Sequence, residues 1–166
     1  MTTPQHRSPG EAEMAIYLRA YEPADFETLY TIDQACYPGG IAYSRGVLRE
    51  FLALPGADCL VAHIGEEPRA AIAGFIIGEC AGTRGRIITI DVLEELRRAG
   101  VGTALLRDLE RRMAARGTRQ IELETATTNA AGVAFWEHHG YRKTGLLHGY
   151  YLGRLDAWKM RKTLAA

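Results

Sequence analysis

From Ile16 onward, short apolar runs alternate with polar punctuation, and the period of the apolar positions changes along the chain. "AIYLRAYEPADF" reads as a strand ending at Pro23, after which Phe26, Leu29, Tyr30 and Asp33 recur at helical spacing. That helix stops before Pro38-Gly39-Gly40. Ser44 reads as an N-cap, because Val47, Leu48, Phe51 and Leu52 follow it as an apolar stripe until Pro55-Gly56. Three strands come next, "CLVAHI", "RAAIAGFIIGEC" and "RIITIDV", separated by the short turns "GEEP" and "AGTRG", which demand antiparallel pairing.

At Leu105 the period becomes helical: Leu105, Leu106, Leu109 and Met113 form one stripe, with Arg107, Asp108, Arg111 and Arg112 on the other face, until Gly117. "RQIELETA" alternates as a strand. "NAAGVAFWEHHG" reads as a helix with Asn129 as N-cap and Gly140 as its left-handed stop. Strand, helix, strand, helix implies a parallel pair in this half. "YRKTGLL" and "LDAWKMRKTL" then alternate as strands around a "HGYYLGR" loop.

Composition narrows what such a chain can be. Its 166 residues, 47% of them hydrophobic, fit a single domain, placed at 14–166 behind a polar, disordered or cloning-derived tail at 1–13. Twenty basic and twenty acidic side chains cancel, so no overall field draws the protein to nucleic acid or an anionic membrane. Cys36, Cys59 and Cys80 show no C-x-x-C spacing and no leader precedes them, which reads as a cytoplasmic chain with reduced thiols. The apolar stretch "AAIAGFIIG" is about half of what a bilayer crossing needs.

The segment "DVLEELRRAGVGTALL" carries the chemistry-bearing signal. Gly100-Val101-Gly102 opens a helix whose first N–H groups lack intrahelical acceptors, and Arg97 and Arg98 precede it. A Walker loop would need Gly-Lys-Ser/Thr, and a dinucleotide fingerprint would need glycine at position 105, which is Leu105. Two readings remain for the segment alone: a phosphate cradle, or an arginine-rich solvated turn.

"RRAGVG" fits the R/Q-x-x-G-x-G/A signature of the GCN5-related N-acetyltransferases (GNAT), and the chain resembles that superfamily from Ile16 to Leu164. Together with "LETATTNAAGVAFWEHHGYRKTG" and "YYLGRLDAWKM", it looks most like the RimI group of protein N-terminal acetyltransferases, known for acting on ribosomal proteins. The resemblance implies an α/β fold with a mixed, central, twisted sheet of about seven strands flanked by about four helices. It implies that acetyl-CoA is the cosubstrate, with no metal. The backbone of Arg98, Ala99, Gly100, Val101, Gly102 and Thr103, supported by Arg97, would hold the pyrophosphate. Ile90, Asp91 and Val92 would pair with pantetheine, and Asn129 and Trp136 would lie near the reactive arm.

Transfer from a thioester to an amine requires a neutral nucleophile and a proton acceptor. An α-amine of pKa about 7.7–8.0 is roughly one tenth neutral at pH 7, whereas a lysine near 10.4 is almost wholly charged. "IELET" sets Glu122 and Glu124 on the face opposite Ile121, Leu123 and Thr125. By resemblance Glu124 is the base, acting through water; the alternative is two solvated glutamates on an edge strand. Trp136 stands where the family pattern has a tyrosine acid, and an indole N–H can donate a hydrogen bond but is no usable acid. Tyr150 and Tyr151 offer a substitute beside the acceptor, and Tyr37 and Tyr43 would line the opposite wall of that cleft.

Neighbouring His138 and His139 lack zinc-ligand spacing; His139 is expected to answer the dipole at its helix end, and His63 to be structural. The expected activity is acetylation of the α-amine of a protein N-terminus. The alternatives are acetylation of a small amine or lysine, and an acetyl-CoA-binding module with weak catalysis.

Overall fold

A computed structural model of the chain describes residues 15–37, 39–65 and 71–165. The expected tail at 1–13 and most of the "GEEP" turn lie outside the described residues. In chain order the elements are β1 (Ile16–Ala20), α1 (Phe26–Cys36), α2 (Arg45–Leu52), β2 (Ala57–Ile64), β3 (Ile72–Ala81), β4 (Arg84–Val92), α3 (Val101–Ala115), β5 (Gln120–Ala126), α4 (Ala130–His138), β6 (Arg142–Tyr151) and β7 (Leu155–Thr163). The strands form one sheet in the order β1-β2-β3-β4-β5-β7-β6. Among the described residues only β4 and β5 run parallel; the other neighbours are antiparallel.

This is the mixed α/β sheet expected from the sequence, and alternation within its strands explains how both faces are covered. Leu60 and Ala62 of β2 enter one core with Leu105, Leu106, Leu109 and Met113 of α3. Val61, between them, enters the other with Phe26, Leu29 and Ile32 of α1 and Leu48 of α2. Each such leucine or isoleucine, fully buried, contributes about 1.5–3 kcal/mol.

The sequence-predicted caps form. Ser44 accepts from the Val47 N–H at 3.2 Å, and Asn129 accepts from the Gly132 N–H at 3.0 Å. Ser44→Ala is expected to cost about 1 kcal/mol, read as a lower denaturation midpoint with an unchanged slope.

The "HGYYLGR" stretch differs from the expected loop. β6 continues to Tyr151 and pairs it with Leu155, leaving only a tight turn beyond it. The Gly149 N–H bonds to Asp156 Oδ1 at 2.9 Å, a cross-strand contact that holds the hairpin together to its tip.

Candidate active site

The parallel pair is short. β4 pairs with β5 only where Arg84–Arg86 meet Gln120–Glu122, although both strands run on, to Val92 and Ala126. On its other side β4 stays paired to β3, with one irregularity at which Ile77 meets Thr89 and Gly78 meets Ile87, so that Ile88 is skipped. A bulge of this kind bends a strand and alters its twist, and here it sits where β4 leaves β5.

The segment between α1 and α2 lies against the freed part of β4. The Tyr37 hydroxyl donates to the Ile90 carbonyl at 3.1 Å, and the Tyr43 hydroxyl to the Ile88 carbonyl at 3.3 Å. Burial, with nearby Asp91 for Tyr37 and Tyr151 for Tyr43, raises both phenol pKa values. Both therefore remain hydrogen-bond donors at neutral pH. The Asp91 carbonyl turns toward β3, only 2.5 Å from where a Cβ on Gly74 would sit.

Glu124 stands just past the parting of β4 and β5. Its side chain is 18% exposed, and Arg86 approaches its carboxylate at 3.5 Å. β5 lies inside the sheet, between β4 and β7, so Glu122 and Glu124 are not the solvated pair of an edge strand. Glu122 is bound by Arg161 at 2.7 Å and Lys159 at 3.6 Å. Tyr151 donates to the Glu124 carbonyl at 3.4 Å, and its ring meets that of Tyr150 edge-on at 4.9 Å. Burial, followed by Tyr150 and Glu124, pushes the Tyr151 phenol up to about 12. The turn after Tyr151 reaches the other wall, where Leu152 Cδ1 lies 3.6 Å from the place a Cβ on Gly40 would take.

The loop between β4 and α3 presents the other half of the site. Arg98 holds φ 67° and Gly100 φ 89°, both left-handed. No side chain caps α3, and the first amide that bonds back is Ala104, to the Gly100 carbonyl. The N–H groups of Val101, Gly102 and Thr103 thus point out of a helix end that favours an anion. A Cβ on Gly102 would lie 3.3 Å from Phe135 Cε2, so glycine also permits the close packing of α3 on α4.

The sequence profile of the Acetyltransferase (GNAT) family matches residues 26–141. The chain belongs to the GNAT family. Among similar proteins is an N-alpha-acetyltransferase of Saccharolobus solfataricus, 34% identical over 82 residues, which are 49% of each chain. The fold is that of the ribosomal-protein-S18-alanine N-acetyltransferase of Escherichia coli, with TM-score 0.79 at 22% identity over 92% of this chain and 96% of that one. It is equally that of a chain in the NatC complex bound to Gag peptide and CoA, with TM-score 0.78 at 22% identity over 92% and 100%. The chain spans about half the length of the curated relatives it matches.

Within this GNAT site, several residues lie differently from the sequence expectation. The Arg97 guanidinium folds back to the Val92 carbonyl at 3.1 Å and the Cys36 sulfur at 3.6 Å, so it is engaged at the end of β4 and not at the α3 terminus. Trp136 is 6% exposed in the core, edge-on to Phe135 at 5.0 Å and Tyr141 at 5.2 Å. Packing is thus its evident role. The Asn129 side-chain oxygen is spent on its helix cap. His139 stands at the C-terminal cap of α4, where burial and His138 lower its pKa and its Nε2 lies 3.1 Å from Thr103 Oγ1. His63 is structural, its Nδ1 lying 2.9 Å from the Gly65 carbonyl.

Arg86 is the residue the sequence reading missed. It occupies the register position opposite Glu122 in the parallel pair, and only that long-range pairing brings it to Glu124. Among the described residues, no group of three or more His, Cys, Asp or Glu is placed to hold a metal ion.

Proposed function

We propose that the protein is an acetyl-CoA-dependent N-acetyltransferase that moves acetyl directly to the α-amine of a protein N-terminus, as the ribosomal-protein type does. One observation carries the reading: β4 and β5 part beyond Arg86 and Glu122, with Glu124 just past the parting. The uncapped start of α3 suits the pyrophosphate of acetyl-CoA, and the freed stretch around Ile90 and Val92 suits its amide-bearing arm. The cosubstrate supplies a thioester as acyl donor.

In this reading the amine nitrogen bonds to the acetyl carbon, the carbon–sulfur bond breaks, and the amine proton passes to the Glu124 carboxylate through water. Tyr151 keeps its proton at neutral pH and donates a hydrogen bond to the departing sulfur, which leaves as thiolate, an acceptable leaving group at a thiol pKa of about 8.5. Tyr150 stands beside the acceptor with Arg86. Tyr37 and Tyr43 form the opposite wall.

Free thiols at Cys36, Cys59 and Cys80 accord with a cytoplasmic setting. The test is to follow CoA release from acetyl-CoA with free-N-terminus peptides, with blocked peptides carrying an internal lysine, and with polyamines. Turnover confined to free N-termini is expected. Equal turnover on blocked peptides would overturn the α-amine reading, and tight acetyl-CoA binding without turnover would favour a binding module.

A further inference from the structure

Beneath the acceptor wall lies a carboxyl pair that this chemistry does not use. Asp33 on α1 is 0% exposed, and Asp91 on β4 is 1% exposed. One oxygen of each is accounted for. Asp33 Oδ2 accepts from the Tyr43 backbone N–H at 2.8 Å, and Asp91 Oδ1 accepts from the Thr89 hydroxyl at 2.6 Å. The second oxygens, Asp33 Oδ1 and Asp91 Oδ2, are buried with no donor among the described residues. α1 packs against β4, so the two orphaned oxygens, one from each element, lie in the same buried layer. Two ionised carboxylates in that arrangement would repel in a medium of low dielectric, whereas one proton between them satisfies both orphaned oxygens.

We propose that Asp33 and Asp91 share one proton and act as a latch, fastening the segment that carries Tyr37 and Tyr43 to the freed part of β4. The latch positions the acceptor wall and touches no reacting atom. It rests on the reading of that wall given above, but the bond itself does not.

Burial and the facing Asp33 carboxyl hold the Asp91 carboxyl well above the usual carboxylate range. Around the pair stand Cys36 and Tyr37 from the end of α1, Cys59 from β2 and Arg97 from the loop after β4. Of these only Arg97 carries a charge at neutral pH. It is exposed and tied to the Val92 carbonyl.

The sign of the pH effect follows from linkage. The folded chain keeps a proton that the unfolded chain releases above a pKa of about 3.9, so the pair's contribution to stability falls as pH rises from there toward the folded value. Asp91→Asn, which replaces the protonated acid by a neutral amide, is expected to remove that slope from thermal unfolding.

The decisive experiment is infrared spectroscopy of the full chain at neutral pH, which should show a protonated carboxylic acid band that disappears in Asp91→Asn. Hydrogen exchange should show the Tyr43 amide protected in the wild type and exchanging at least about tenfold faster in Asp33→Ala. For the kinetics, the wild-type KM for the acceptor should rise at alkaline pH as the shared proton is lost, and in Asp91→Asn this rise should be absent. No acid band in the wild type would overturn the latch, as would the same alkaline rise in Asp91→Asn. If no amine is acetylated, the band and the Tyr43 amide still decide the latch, and it is the functional reading that fails.

Discussion

Glu124→Gln is expected to lower kcat/KM for a peptide with a free N-terminus about a hundredfold, the usual scale for loss of a positioned general base. Gln keeps the volume and can still meet Arg86, which lies 3.5 Å from the native carboxylate. It cannot take a proton. The deficit should widen as pH falls below about 7.7, where the neutral amine becomes scarce and each productive encounter depends more on proton removal. Steady-state profiles of both enzymes across pH check this, and overlapping curves would remove Glu124 from the role. Acetyl-CoA affinity, measured separately, should be the same in both.

Arg98→Glu is expected to weaken acetyl-CoA binding by roughly ten- to a hundredfold, the equivalent of one charge-assisted hydrogen bond to phosphate. The site it would spoil is the uncapped start of α3, where Arg98 is exposed and adjoins the first free amides. A companion variant separates binding from folding. Arg98 holds φ 67°, a left-handed conformation that costs an L-residue roughly 1–2 kcal/mol. Arg98→Gly removes strain and charge together, so its melting temperature should rise while its affinity falls. Calorimetric titration and thermal unfolding of both variants read the two effects. A stabilised Arg98→Gly that binds as tightly as the wild type would mean that the strain serves something other than an anion.

Local signals in the sequence were legible because their causes are local. Ser44 and Asn129 cap the helices that follow them, and Gly140 takes the left-handed stop at φ 90°. Each depends on a few neighbouring residues. The alternation of "IELET" likewise placed Ile121, Leu123 and Thr125 in the interior with Glu122 and Glu124 on the other face.

What escaped the sequence depends on partners far along the chain. Arg86 reaches Glu124 across 38 positions through the parallel pairing of β4 with β5. Asp33 and Asp91 are buried in one layer only when α1 packs on β4. Arg97 reads as a phosphate ligand beside Arg98, yet its guanidinium folds back to the Val92 carbonyl. Trp136 reads as a site residue from its motif position, and its large apolar surface instead fills the space between Phe135 and Tyr141. The extension of β6 to Tyr151 was hidden for the same reason, since glycines and polar residues at 148–154 mark a loop until their pairing with β7 is known.

The most direct test of the central claim is to locate the acetyl group itself. A peptide bearing both a free N-terminus and an internal lysine is incubated with acetyl-CoA and the protein, and the product is fragmented by mass spectrometry. The expected result is a single acetyl group on the α-amine, with formation slowed in Glu124→Gln. An acetyl group found on the lysine with the α-amine left free would contradict the account.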